Sequence, residues 1–132
     1  RPQLCASMLA ADDLIPVDKD SMNNLTVFSD YRLPQLFLSM GILKLIDTEL
    51  ENSIRRQAFI EAGSKEEIAL RAASVLAAER VCQIVNERGA EQGDGAKSSI
   101  ADIDYFLWRT CVKLDNEDRL SYPFHRTRTF CY

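Results

Sequence analysis

Apolar positions along this chain recur at helical spacing and nowhere alternate over the length of a strand, so the pattern predicts helices. Residues 2–11 begin with Pro2 and carry Leu4, Met8 and Leu9 on a short helix ending near Asp12. The stretch "IPVDKDSMNN", 15–24, reads as a loop. Pro34 suits a first helical position, which predicts a helix from there to Met40 with Gly41 as a break. Helix resumes over 42–59, with Asp47 as an internal N-cap. The clearest element is 63–89, where Ser64 and Glu67 form a capping box and Gly89 marks the end. Its apolar residues lie almost all round, which predicts a central helix packed on several sides. A glycine-containing loop follows to residue 97. Ser99 with Asp102 opens a last helix, striped by Ile100, Ile103, Leu107 and Leu114, and 120–132 closes the chain as an irregular or extended tail. The chain is read as one all-α domain without internal repeats.

Composition narrows the function classes. At 132 residues the chain is long enough for one real core, and 46% hydrophobic against 27% charged residues excludes disorder. Sixteen basic and twenty acidic residues give a net charge of −4, which argues against direct nucleic-acid binding and membrane-surface binding. A small local basic site for one phosphate is still compatible with that balance. No apolar run approaches a membrane span, and no signal peptide is evident. The first residue is Arg1, so the chain is expected to be part of a longer one. Cys5, Cys82, Cys111 and Cys131 show no paired metal-ligand spacing, and His125 is the single histidine, so no metal is expected. The cysteines read as reduced thiols of a cytoplasmic protein, at least three of them helix filler.

Charges inside apolar runs are more telling than their count. Arg71 shares a helical stripe with Val75, Ala78 and Cys82, and Glu79 lies about 80° round from it. Both flank a face expected to be buried. The pair reads either as a structural network or as a device in which Arg71 orients a carboxylate or binds an anion. Asp104 has Trp108 one turn later on the same side; an acid against an indole is desolvated, which raises its pKa and suits acid–base work. An acid near a helix N-terminus is also favoured by the dipole alone. Asp30, ahead of the Pro34 helix, reads equally as a cap. His125, Arg126 and Arg128 read as a solvated basic tail or as a phosphate clamp.

Taken together, "FSDYRLPQLF", "EEIALRAASVLAAE", "DYFLW" and "PFHRTR" stand in an order and spacing that resembles the C-terminal part of the queuosine 5′-phosphate N-glycosylase/hydrolases, the queuosine salvage family. The opening "PQLCASMLAADDL" is similar to the helix that precedes the family's Asp-Tyr-Arg motif, so the resemblance covers essentially the whole chain. It implies an all-α fold related to DNA glycosylases, and hydrolysis of the N-glycosidic bond of queuosine 5′-monophosphate to release queuine for tRNA modification. It implies a small-molecule nucleotide substrate and no cofactor. Ser29 stands where the family usually carries Ala. Family members also carry a large N-terminal half that this chain lacks, so that half or a second chain is expected to complete the site.

Under that resemblance the residues acquire roles. Cleavage builds oxocarbenium character on the ribose, which a carboxylate stabilises, and a carboxylate can also activate water. Asp30 and Asp104 are the two catalytic candidates. Asp30 is ranked first as the ribose-facing or water-activating acid, with Asp104 as the alternative contact to the base or its cationic arm. Phe28, Tyr31 and Trp108 are candidates to stack on the base, with core packing as the competing role. Arg32, His125, Arg126 and Arg128 are candidates for the 5′-phosphate, while Arg71 and Glu79 are assigned to structure. The alternative reading is a non-catalytic helical interaction module or degenerate relative.

Overall fold

A computed structural model describes residues 2–16, 25–93 and 97–130. Over them the chain is all helical: α1 (Pro2–Ala11), α2 (Arg32–Ser39), α3 (Thr48–Arg55), α4 (Lys65–Glu91) and α5 (Ile100–Asn116). Parts of the two predicted loops, 17–24 and 94–96, lie outside the described residues, as do Cys131 and Tyr132. No described helix is long and apolar enough to cross a membrane.

Helix α2 is the keystone because α4 and α5 both pack on it and on each other. Every residue from Leu33 to Leu38 is therefore buried, the polar Gln35 included. Leu33, Leu36 and Phe37 meet Ala78 of α4 and Ile103, Leu107 and Cys111 of α5 in one cluster, which Val27 closes from the preceding segment. Each large side chain removed from water there contributes about 2 kcal/mol. A second cluster joins Leu38, Ile54, Ile60 and Leu70 and seats α3 and the tail.

Several boundaries depart from the sequence reading, for physical reasons. Helix α2 begins at Arg32, which puts Pro34 third rather than first. The first turn leaves all its N–H groups without intrahelical acceptors, so proline loses nothing at that place either. Helix does not resume at residue 42. Ile42 and Leu43 both donate to the Phe37 carbonyl, Gly41 turns the chain at φ +71°, and α3 starts only where Asp47 accepts the N–H groups of Glu49 and Leu50.

Helix α4 passes through Gly89 and ends where Gly93 takes φ +77°. Nor is it buried all round: Ile68 and Leu76 are exposed, and its buried residues are confined to Glu67, Leu70, Ser74 and Ala78. Its capping box is half made. Ser64 accepts the Glu67 N–H, but the Glu67 carboxylate accepts from Gly63 and Arg71. The tail pairs with the segment after α3 in one parallel bridge among the described residues, between Phe59 and Arg126.

Candidate active site

Residues 27–30 form a near-extended ribbon of two successive turns, Ser29 N–H to the Val27 carbonyl (3.1 Å) and Asp30 N–H to that of Phe28 (2.8 Å). Its period is two, so Val27 and Ser29 face the core while Phe28 and Asp30 face the other way. Ser29 fixes the ribbon to α4: its Oγ donates to the Arg71 carbonyl (3.1 Å), and Arg71 Nε donates to the Ser29 carbonyl (3.0 Å). Tyr31 occupies the N-cap position without a side-chain cap bond. Asp30 caps α2 instead, its Oδ1 accepting the Arg32 N–H at 2.7 Å.

On the facing side, α5 is launched by a complete capping box between Ser99 and Asp102. That start places Asp104 in the first two turns, where its Oδ1 accepts the Phe28 N–H at 2.9 Å. Asp30 and Asp104 thus line one cavity of about 600 Å³. Asp102 is its third acid; Phe28, Leu33, Tyr105 and Trp108 form aromatic and apolar walls, and Leu4, Ser7 and Met8 of α1 complete it.

Those walls set the electrostatics. Burial pushes the Asp104 carboxyl up to about 6, against the pull of the Phe28 N–H, and the nearby Asp30 charge pushes the same way as burial. Burial also raises Asp30, opposed by the Arg32 and Leu33 N–H groups and by the Arg32 charge. Two carboxyls poised above their ordinary range, in one apolar-walled cavity, can divide acid and base roles between them at neutral pH.

The other sequence candidates go elsewhere. Tyr31 packs against Phe124 with ring centroids 5.1 Å apart. Arg32 lies over both rings and pairs with Asp115 at 2.6 Å. In the tail, His125 points inward and is buried, its pKa lowered by burial and by Arg71 though raised by Glu67. Arg126 and Arg128 point outward and cover Phe59, at 4.3 and 4.8 Å from its ring centroid. None of Arg32, His125, Arg126 and Arg128 lines the cavity, so the fold does not bring the expected phosphate contacts to it.

Arg71, assigned to structure with Glu79, enters a network through Ser29 and Glu67. Arg71 pairs with Glu67 at 3.2 Å. Sequence reasoning missed Asp102, Tyr105 and the α1 residues. The Leu4–Met8 spacing marks a face of α1, but only the tertiary fold shows what that face covers. Among the described residues no group of three or more His, Cys, Asp or Glu side chains is arranged to hold a metal ion.

Comparison with known proteins sets this geometry in a family. The family model described as "Queuosine salvage protein" matches residues 7–132. This chain belongs to that family. Its relatives include proteins named queuosine 5′-phosphate N-glycosylase/hydrolase. The one from Mus musculus is 31% identical over 115 residues, covering 86% of this chain and 33% of that protein. The one from Sphaerobacter thermophilus is 33% identical over 116 residues, covering 86% and 32%. The one from Dictyostelium discoideum is 31% identical over 114 residues, again covering 86% and 32%. The chain therefore spans about a third of the length of the curated relatives it matches.

Proposed function

We propose that this chain forms the acid-bearing part of an N-glycosyl hydrolase that cleaves queuosine 5′-monophosphate and releases queuine. The observation that carries the reading is the pair Asp30 and Asp104, 74 positions apart in sequence and brought to one cavity. Asp30 faces the ribose, stabilising positive charge as the bond breaks or activating water. Asp104, whose carboxyl reaches about 6, exchanges a proton with the base or holds its cationic arm. Phe28 and Trp108 take the flat base between them. This reading places the enzyme in the cytoplasm.

The 5′-phosphate needs a cation, and none lines the cavity among the described residues. Arg109 is assigned that contact here, because its guanidinium stacks on the cavity-lining Tyr105. Further walls come from the chain length that the relatives have in addition, or from a second chain. The exposure of Met8, Tyr105 and Trp108 at this cavity supports that completion. The one-third coverage supports a second reading for this chain by itself, a non-catalytic helical module.

Chromatography of queuosine 5′-monophosphate after incubation with the parent and with Asp30→Asn tests the proposal. Release of free base by the parent, lost in the folded variant, is the expected result. No release by a folded parent supplied with its full length turns the reading to the helical module.

A further inference from the structure

Ser29, just before Asp30, and Arg32, two positions after it, are each tied to a different long helix. On one side, Ser29 is held by a reciprocal pair of bonds to Arg71 of α4, described above. Arg71 is itself oriented, since its Nη1 donates to Glu67 Oε1 at 3.2 Å, and Glu67 Oε2 accepts the Gly63 N–H at the start of α4. Glu67 is buried, so this half-buried guanidinium has a fixed acceptor for a charge-assisted bond.

On the other side, Arg32 is held by α5. Its Nη1 reaches Asp115 Oδ2 at 2.6 Å and Gln35 Oε1 at 3.3 Å, and Gln35 Nε2 also donates to Asp115 Oδ1 at 3.4 Å. The Arg32 carbonyl accepts from the buried Cys111 thiol at 3.4 Å. Arg32 is also the residue whose N–H holds the Asp30 carboxylate. Among the described residues no side-chain cation is hydrogen-bonded to Asp30; the backbone N–H of Arg32 holds its carboxylate.

We propose that Arg71 and Asp115 are positioning residues that clamp Ser29 and Arg32, on either side of Asp30, and so aim its carboxylate into the cavity. The inference rests on the reading of Asp30 as the reacting acid. A clamp through the backbone leaves the carboxylate oxygens unshared with a cation, and therefore available to a ligand. It also explains why a partly buried arginine at position 71 pairs within its own helix yet reaches a carbonyl 42 residues away.

The test uses the full chain, labelled with ¹³C at aspartate, as parent, Arg71→Lys and Asp115→Asn. The ¹³Cγ resonance of Asp30 is followed against pH alongside base release and thermal melting. The charged groups facing Asp30 are Arg32 at the start of α2 and Asp104 and Asp102 of α5, and Arg71→Lys changes none of them. A loosened Asp30 regains water, so its midpoint falls toward the ordinary carboxylate value in both variants. Base release then loses about tenfold or more in kcat with KM little changed, as misplacement of a reacting group requires. An unchanged Asp30 midpoint in both variants, with only the melting temperature lowered, overturns the clamp. A parent that releases no base defeats the hydrolase reading alone, and the Asp30 titration still decides the positioning role.

Discussion

Asp104 Oδ1 accepts the backbone N–H of Phe28 at 2.9 Å, across 76 positions of sequence. This bond joins the two halves of the cavity. It satisfies a backbone donor that the ribbon 27–30 cannot satisfy internally, and it fixes the ring of Phe28 against the start of α5. Asp104 Oδ2 makes no hydrogen bond to any described residue, so one oxygen anchors the fold and the other is open to a ligand.

Trp108 is the single tryptophan, it lines the cavity, and it sits one turn from Asp104. Its emission therefore reports the ionisation of that carboxyl. A fluorescence titration is expected to show a midpoint at about 6. Asp30→Asn removes a like charge, and so moves the midpoint down. Asp104→Asn abolishes the transition. A midpoint unmoved by Asp30→Asn would show that the two acids do not sense each other.

Asp104 also makes a stability prediction, and its sign is opposite to that of a salt-bridged acid. Its folded pKa lies above the unfolded value, so between about pH 4 and 6 the native state binds more protons than the unfolded one. Stability is then highest at the acid side of that window and falls as pH rises through it. Asp104→Asn mimics the protonated form and keeps an acceptor for Phe28. Discounted for its partial exposure, the gain at pH 7 is about 1 kcal/mol, vanishing near pH 4. Urea melts of parent and variant at the two pH values measure it. A variant that keeps its stability but loses base release identifies an acid retained for chemistry.

Ser99 starts α5 and thereby sets where Asp102 and Asp104 point. Its Oγ accepts the Asp102 N–H, while its own N–H and Oγ donate to the Asp102 carboxylate. Ser99→Ala is expected to lower stability by about 1 kcal/mol. Denaturant melts check the loss, and a change well below that value would mean that Asp102 alone sustains the helix start.

What could be read beforehand followed from local rules. Ser64, Asp47 and Ser99 are caps whose side chains need only nearby N–H groups, so sequence spacing located all three. The Ile103–Leu107 stripe faces the core for the same reason, since 3.6-residue periodicity needs no knowledge of the partner. The pairing of Asp30 with Asp104 was another matter. It depends on how α2 and α5 dock, which local pattern does not encode; spacing marked each acid by itself, and the family resemblance supplied most of the case for joining them. The tail misled because alternation decides its roles. His125 turns inward and Arg126 and Arg128 turn outward onto Phe59, a residue with no sequence mark of its own. Arg71 was placed on the right face, yet its partner was sought two turns ahead when Glu67 stood one turn behind.

The phosphate assignment gives the last prediction. Arg109 lies over the Tyr105 ring at 5.8 Å from its centroid, and Tyr105 lines the cavity. With Lys113 it also borders a groove of about 440 Å³ along α5 that shares Trp108 with the cavity. Neither cation forms an ion pair with a described residue. A nucleotide with its base against Trp108 can therefore extend its phosphate toward Arg109, where a charge-assisted bond is worth about 1.5–3 kcal/mol. Arg109→Gln is expected to lower kcat/KM for the 5′-monophosphate by about 10- to 100-fold. The same variant leaves the unphosphorylated nucleoside unaffected, because no phosphate is there to lose. Equal losses on both substrates would instead make Arg109 a support for Tyr105, and no loss on either would send the phosphate to a cation outside this chain.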